Sequence, residues 1–213
     1  SLEKRPSNHY AFNFNYDFSF AYGKASSQQE AQNARLSNVP YNYNEHPLGW
    51  DETHKLNSYM TVRYGKNDFP HIFGFKMPDN WQMTLQWEFG SGLPYTPSIY
   101  TTGIDDANLI LPNSARRPWH EKTTFKVEKF YTIGRSSEDT NTRDSELIIG
   151  LTISNLFNRK NVSSVYGQTG SPTEPVHPDN PAYNPGNNLQ EFDSNPRNYG
   201  PGRNVILRIG FSF

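Results

Sequence analysis

The 213-residue chain contains no cysteine, which excludes disulfide frameworks and Cys-based zinc sites and leaves the compartment open. Nowhere does it carry the ~18 consecutive apolar residues that a transmembrane helix needs. It also lacks an excess of either charge. The 20 Lys and Arg face 21 Asp and Glu, for a formal net charge of −1, so nothing favours nucleic acid or an anionic membrane surface electrostatically. Apolar residues are scarce at 34%, and the mean hydropathy is −0.83. Averaged hydropathy would assign a soluble or partly disordered protein. Enzyme signatures are missing as well. His120-Glu121 is followed by Thr124 where a zinc-binding HExxH needs its second histidine, and Gly90-Ser91-Gly92 lacks the rest of a dinucleotide or nucleophile-elbow motif. No catalytic residue, metal site or cofactor is assigned.

Aromatic residues, by contrast, make up 15% of the chain. Seven of them occupy every second position over 10–22: Tyr10, Phe12, Phe14, Tyr16, Phe18, Phe20 and Tyr22, alternating with Ala11, Asn13, Asn15, Asp17, Ser19 and Ala21. Alternate side chains of a strand point to opposite faces, so one face is an aromatic stripe and the other is small and polar. At roughly 3.3 Å per residue the segment spans about 40 Å, and tilted by ~40° it rises about 30 Å, enough to cross an outer-membrane apolar band. Alternation also explains the low hydropathy, because each outward apolar residue is cancelled by an inward polar one.

The rhythm recurs. Leu56, Met60, Val62 and Tyr64 oppose Asn57, Thr61 and Arg63; Trp81, Met83, Leu85, Trp87 and Phe89 oppose Gln82, Thr84, Gln86 and Glu88. Phe125, Val127, Tyr131 and Ile133 oppose Thr124, Lys126, Glu128 and Thr132, with Lys129 and Phe130 on the wrong faces. Leu147, Ile149, Leu151 and Ile153 form a further set, as do Val205, Leu207, Ile209, Phe211 and Phe213. The expectation is all-β: an antiparallel transmembrane β-barrel segment with strands near 9–22, 54–64, 80–90, 119–133, 146–157 and 203–213. A strand tail at 1–5, ended by Pro6, suggests a piece of a longer chain. Long connections at 23–53, 91–118 and 158–202 are expected outside the cell, with shorter turns on the periplasmic side. The last of these is rich in Pro, Asn and Gly, which promote turns. It also carries Tyr166, Tyr183, Phe192 and Tyr199, more aromatics than a wholly disordered loop holds.

Several segments carry a family resemblance. Ile153-Ser154-Asn155-Leu156-Phe157-Asn158 and the aromatic-terminated ending 199–213 resemble the last two strands of TonB-dependent outer-membrane receptors. Pro47-Leu48-Gly49-Trp50-Asp51, His54-Lys55-Leu56-Asn57, Gly90-Ser91-Gly92-Leu93-Pro94-Tyr95-Thr96-Pro97 and Asn113-Ser114-Ala115-Arg116-Arg117-Pro118 are similar to further segments of that family, in the expected order. The flavour is that of large long-loop receptors, some of which bear an N-terminal carboxypeptidase-regulatory-like domain. The resemblance implies the C-terminal six or seven strands of a barrel of about 22 strands. The remaining barrel strands, the plug and the TonB-engaging segment would lie elsewhere in the parent. Implied partners are outer-membrane lipid, TonB through the parent chain, the barrel-assembly machinery and a surface substrate-binding lipoprotein. The function implied is TonB-energised import of a glycan, peptide or metal chelate across a bacterial outer membrane. The rival expectations are an energy-independent barrel or secretion-associated scaffold binding partner proteins through its loops, and a soluble all-β carbohydrate-binding module with strands of 5–7 residues.

On the barrel expectation Asp17, Arg63, Glu88, Lys126, Glu128 and Arg208 face the lumen and plug, with Arg63, Glu88, Lys126 and Glu128 expected as one wall network. Mixed signs favour local pairing over an ion-selective pore. Trp50, Tyr95 and Tyr100, with Tyr41, Tyr43, His46 and Trp119 nearby, are candidates for ligand stacking or for anchoring at the membrane interface. Asp105-Asp106, and His177 with Asp179, could hold a cation but read more simply as solvated loop polarity. The resemblance assigns Ile209, Phe211 and Phe213 to an assembly signal.

Overall fold

The computed structural model describes residues 1–7, 9–28, 31–32, 45–72, 74–98, 111–133, 145–175 and 195–212. Seven strands form one antiparallel sheet: β1 (Leu2–Ser7), β2 (Tyr10–Phe18), β3 (His54–Tyr64), β4 (Trp81–Gly90), β5 (His120–Ile133), β6 (Ser145–Ser154) and β7 (Asn204–Ser212). Their order across the sheet is their order along the chain. It is an up-and-down meander with two open edges, β1 and β7. Three short ladders extend the connections: Tyr22–Gly23 with His46–Pro47, His71–Ile72 with Phe75–Lys76, and Pro94–Tyr95 with Ala115–Arg116.

Register turns the period-two pattern into two chemically distinct faces, because residues opposite each other share a face. One row across the sheet reads Phe12, Met60, Leu85, Phe125, Ile153, Val205. The next reads Tyr10, Val62, Met83, Val127, Leu151, Leu207. Aromatics collect beyond these aliphatic rows. Phe14 and Trp87 flank the small Ser58 toward one end, and Tyr64 and Trp81 lie toward the other with ring centroids 5.2 Å apart. Among the described residues no second layer covers this face. Among the described residues Trp81 is the one buried hydrophobic, while Leu207 is 68% and Ile209 70% exposed.

The expected strand at 9–22 stops at Phe18. Ser19 N–H donates to the Thr53 carbonyl, and the Tyr22–Gly23 ladder folds onto His46–Pro47 instead of continuing the sheet. The strand expected at 146–157 ends at Ser154, because Asn155 turns the chain with φ of 53°. Pro6 does not end the first strand. It sits within edge strand β1, in the Lys4–Ser7 interval where the register shifts, and proline is tolerated at such edges and bulges. Phe213 lies outside the described residues.

Lys129 and Phe130 sit on the unexpected faces, as the alternation dictates. Lys129 lies on the apolar face but bends its ammonium to Asp79, whose Oδ1 is 3.2 Å away, and over the Tyr131 ring at 5.1 Å. The Asn67 backbone N–H donates to Asp79 Oδ2 at 2.7 Å. That bond first, and Lys129 after it, hold the Asp79 carboxyl below its ordinary value of 3.8 against the opposing pull of desolvation. A lowered folded-state pKa stabilises fully above the unfolded value and is lost as pH falls through the lowered one. Asp79→Asn should therefore unfold more easily than the parent at about pH 6, and urea titrations should show the gap closing once pH drops below 3.8. A gap independent of pH would count against the pairing.

Candidate functional site

The polar face carries the expected charges in an ordered row. Arg63, Gln82, Glu128, Gly150 and Arg208 lie side by side on β3 to β7, so the central carboxylate stands between two cations with a neutral residue on each side. Glu128 also takes the Lys126 ammonium at 2.8 Å. The expected network is thus realised at Lys126–Glu128 only. Glu88 accepts from Gln86 Nε2 at 2.7 Å, and the Arg63 side chain has no partner among the described residues. Arg63 instead lines a cavity of about 620 Å³ with Glu3, His9, Tyr59 and Gln82 near the short turns. Asp17 lies opposite Lys55, which turns to Glu52 at 3.7 Å.

At the other end the long connections pack onto one another, and their core is polar. Asp51 is 1% exposed. Its Oδ1 accepts from the Ala21 N–H at 2.7 Å and its Oδ2 from the Arg116 guanidinium. Arg116 Nη1 donates in addition to the carbonyls of Asp51 at 3.1 Å and Gly92 at 3.2 Å. One ion pair thereby ties 19–53 to 91–119. A Cβ on Gly92 would lie 1.6 Å from the Arg117 carbonyl oxygen, so this approach requires glycine. Asn113, at φ 55°, adds a bond from Nδ2 to the Pro47 carbonyl at 2.9 Å.

The third connection is fastened by asparagines. Asn155 and Asn158 both adopt positive φ, 53° and 51°, which asparagine tolerates better than other non-glycine residues. Asn155 is 4% exposed. Its amide donates to the carbonyls of Arg159 and Pro201, and its Oδ1 accepts from Arg159 N–H. Asn158 Oδ1 accepts from Arg203 N–H at 2.9 Å. Asn161 acts as a surrogate strand partner for the start of β5, accepting from Glu121 N–H at 2.9 Å and donating to its carbonyl at 2.6 Å.

The loop aromatics divide. Trp50 is 62% exposed. Tyr95 is tucked beneath 158–175, where a Cβ on Gly170 would lie 2.5 Å from its hydroxyl. Trp119 stacks near Phe89 at the rim of the apolar face and carries the Arg159 guanidinium 3.4 Å above its ring. Ile209 and Phe211 are exposed on the apolar face of edge strand β7. Tyr41, Tyr43, Tyr100, Asp105, Asp106, His177, Asp179, Tyr183 and Phe192 lie outside the described residues. Among the described residues no group of three or more His, Asp or Glu is placed to hold a metal ion.

Asp51, Arg116, Asn113, Asn155 and Asn161 were not among the residues picked out from sequence for a role. Four of them sit in the segments that carry the family resemblance, yet nothing local in sequence shows that 47–51, 90–97 and 113–118 meet. No protein-family model, curated protein or solved structure matches this chain.

Arg116→Met would leave a buried carboxylate unpaired, a loss of about 3–5 kcal/mol for a fully buried pair and nearer the low figure for the part-exposed Arg116. Hydrogen exchange should show lost protection at Ala21 and Arg117, with β5 and β6 unaffected. Unchanged protection at Ala21 would mean that Asp51 is not the clasp.

Proposed function

We propose that the chain forms the C-terminal barrel portion of a TonB-dependent outer-membrane transporter. Its parent imports a scarce glycan, peptide or metal chelate into a bacterial cell. The observation that carries this reading is the uncovered apolar face. A soluble domain with this much exposed Leu, Ile and Phe would be an aggregation hazard, whereas a bilayer covers such a face without a second layer. From the row Tyr16, Leu56, Phe89 to the row Tyr131, Leu147, Phe211 is ten residues along β5. That is about 33 Å of strand and ~25 Å of height at a tilt of ~40°, the dimension of an outer-membrane apolar band flanked by aromatics. A soluble module would use shorter strands and cover its apolar side.

Strand parity supports a larger closed sheet. With seven strands in sequential order, β1 and β7 both run toward the short-turn end, so joining them directly would create a parallel pair. All-antiparallel closure needs an odd number of further strands, and a barrel of about 22 supplies about 15. The motif segments of the family resemblance supply the assignment to TonB-dependent receptors. Three of these segments, 47–51, 90–97 and 113–118, meet at the Asp51–Arg116 clasp, which gives them a shared structural task.

Two variants separate the faces. Leu151→Arg, in the middle of the apolar face, should cost ~2–4 kcal/mol and reduce heat-modifiable, detergent-extracted protein, while Thr152→Arg on the polar face should cost little. Equal tolerance, or solubility without detergent, would overturn the membrane assignment. In the same preparation the parent chain should retain the isolated C-terminal domain of TonB. A folded barrel that does not retain it would instead be an energy-independent one.

A further inference from the structure

On the polar face, just beneath the long connections, Glu88 and Lys122 stand directly opposite each other on β4 and β5. Opposite charges in that placement ordinarily bridge. Here they do not: Glu88 is held by Gln86 at 2.7 Å, and the Lys122 ammonium has no partner among the described residues. Both line a cavity of about 350 Å³ together with Arg117. Arg117 gives one Nη1 bond to the Ser163 carbonyl and keeps its other guanidinium donors. The remaining wall includes Leu93, Pro118 and Val162. Divided by the ~30 Å³ that one liquid water occupies, the volume corresponds to about twelve waters, which suits one or two amino-acid residues.

We propose that this cavity is a subsite for the zwitterionic form of a short peptide. The carboxylate sits between Lys122 and Arg117, the ammonium meets Glu88, and an apolar side chain lies on Leu93, Pro118 and Val162. The inference rests on the transporter reading and selects among its substrate classes. A sugar ring offers a flat C–H face that is best met by Tyr or Trp, and no phenol, phenyl or indole ring lines this cavity. A metal chelate would not need a carboxylate and an ammonium separated across two neighbouring strands. Two cations opposite one carboxylate fit a ligand whose acid end is gripped more firmly than its amine.

The test is calorimetry on the full-length parent chain in detergent, with Ala-Leu as probe beside its N-acetylated form, its C-terminal amide and a galacturonate trimer. The free dipeptide should bind, the N-acetylated form roughly tenfold more weakly, the loss of one charge-assisted contact, and the amide more weakly still, because both Lys122 and Arg117 meet the carboxylate. Lys122→Met should shrink the distinction between acid and amide to what Arg117 leaves while preserving that between amine and N-acetyl. Glu88→Gln should do the reverse. Absence of dipeptide binding, capped forms binding as well as the free peptide, or tighter binding of the galacturonate trimer would each overturn the proposal. Heat-modifiable mobility of every variant shows that the barrel is intact, and its absence in the parent itself would fail the transporter reading instead.

Discussion

One constraint governs the structure: a single sheet presents an apolar face that nothing else in the described chain covers. In an ordinary soluble domain the hydrophobic effect buries apolar side chains and leaves polar ones at the surface. Here the arrangement is reversed. Among the described residues the buried polar side chains are His46, Asp51, Thr53, Thr123, Asn155 and Asn198, and glycine and proline apart the one buried hydrophobic is Trp81. Cohesion within the chain therefore comes from the β ladders and from the polar cluster at the long-loop end. The apolar rows stabilise only when something beyond the described residues removes them from water.

That division of labour explains why the polar cluster is so densely bonded. Loops that cannot lean on a hydrophobic core must satisfy their backbone groups with one another and with side chains. Arg116, Asn155 and Asn161 each serve two or more backbone groups at once, and Asp51 joins the Ala21 N–H to the Arg116 guanidinium and the Thr53 hydroxyl. The result is a firm collar where the strands end. The cavity between Glu88 and Lys122 lies against this collar, so its walls are set by fixed elements and not by loop tips.

The sheet was legible in sequence because its signal is local. A period of two over nine or more residues can be read without knowing any partner, and the 54–64 strand has the same bounds in both readings. The early end of β2 was not legible. Its alternation runs unbroken through Tyr22, but Ser19 and Ala21 are captured by Thr53 and Asp51, some thirty residues away. The clasp was hidden for the same reason, since Asp51 and Arg116 are 65 positions apart. Asn155 and Asn158 were visible as family marks, but their task depends on positive φ and on carbonyls brought back by the return of the chain at 201–203.

The two charges that break the apolar pattern of β5 define its limits. Glu121 and Lys129 both lie on the apolar face, in register with Phe89 and Trp81. Neither is left alone: Trp87 Nε1 donates to Glu121 at 2.9 Å with Arg159 3.6 Å away, and Lys129 reaches Asp79. Between them on that face stand Thr123, Phe125 and Val127, with no charge. Eight residues make about 26 Å of strand and ~20 Å of height at a tilt of ~40°. Lys129 turns out of this interval toward Asp79, as long charged side chains do when their stems lie on apolar surface, while Glu121 is shared between Trp87 inside it and Arg159 outside it. The proposed bilayer setting accounts for this spacing on β5, whereas edge strand β1 brings a third charge to the same face: Lys4, opposite Phe12, holds its ammonium 3.4 Å over the Tyr10 ring.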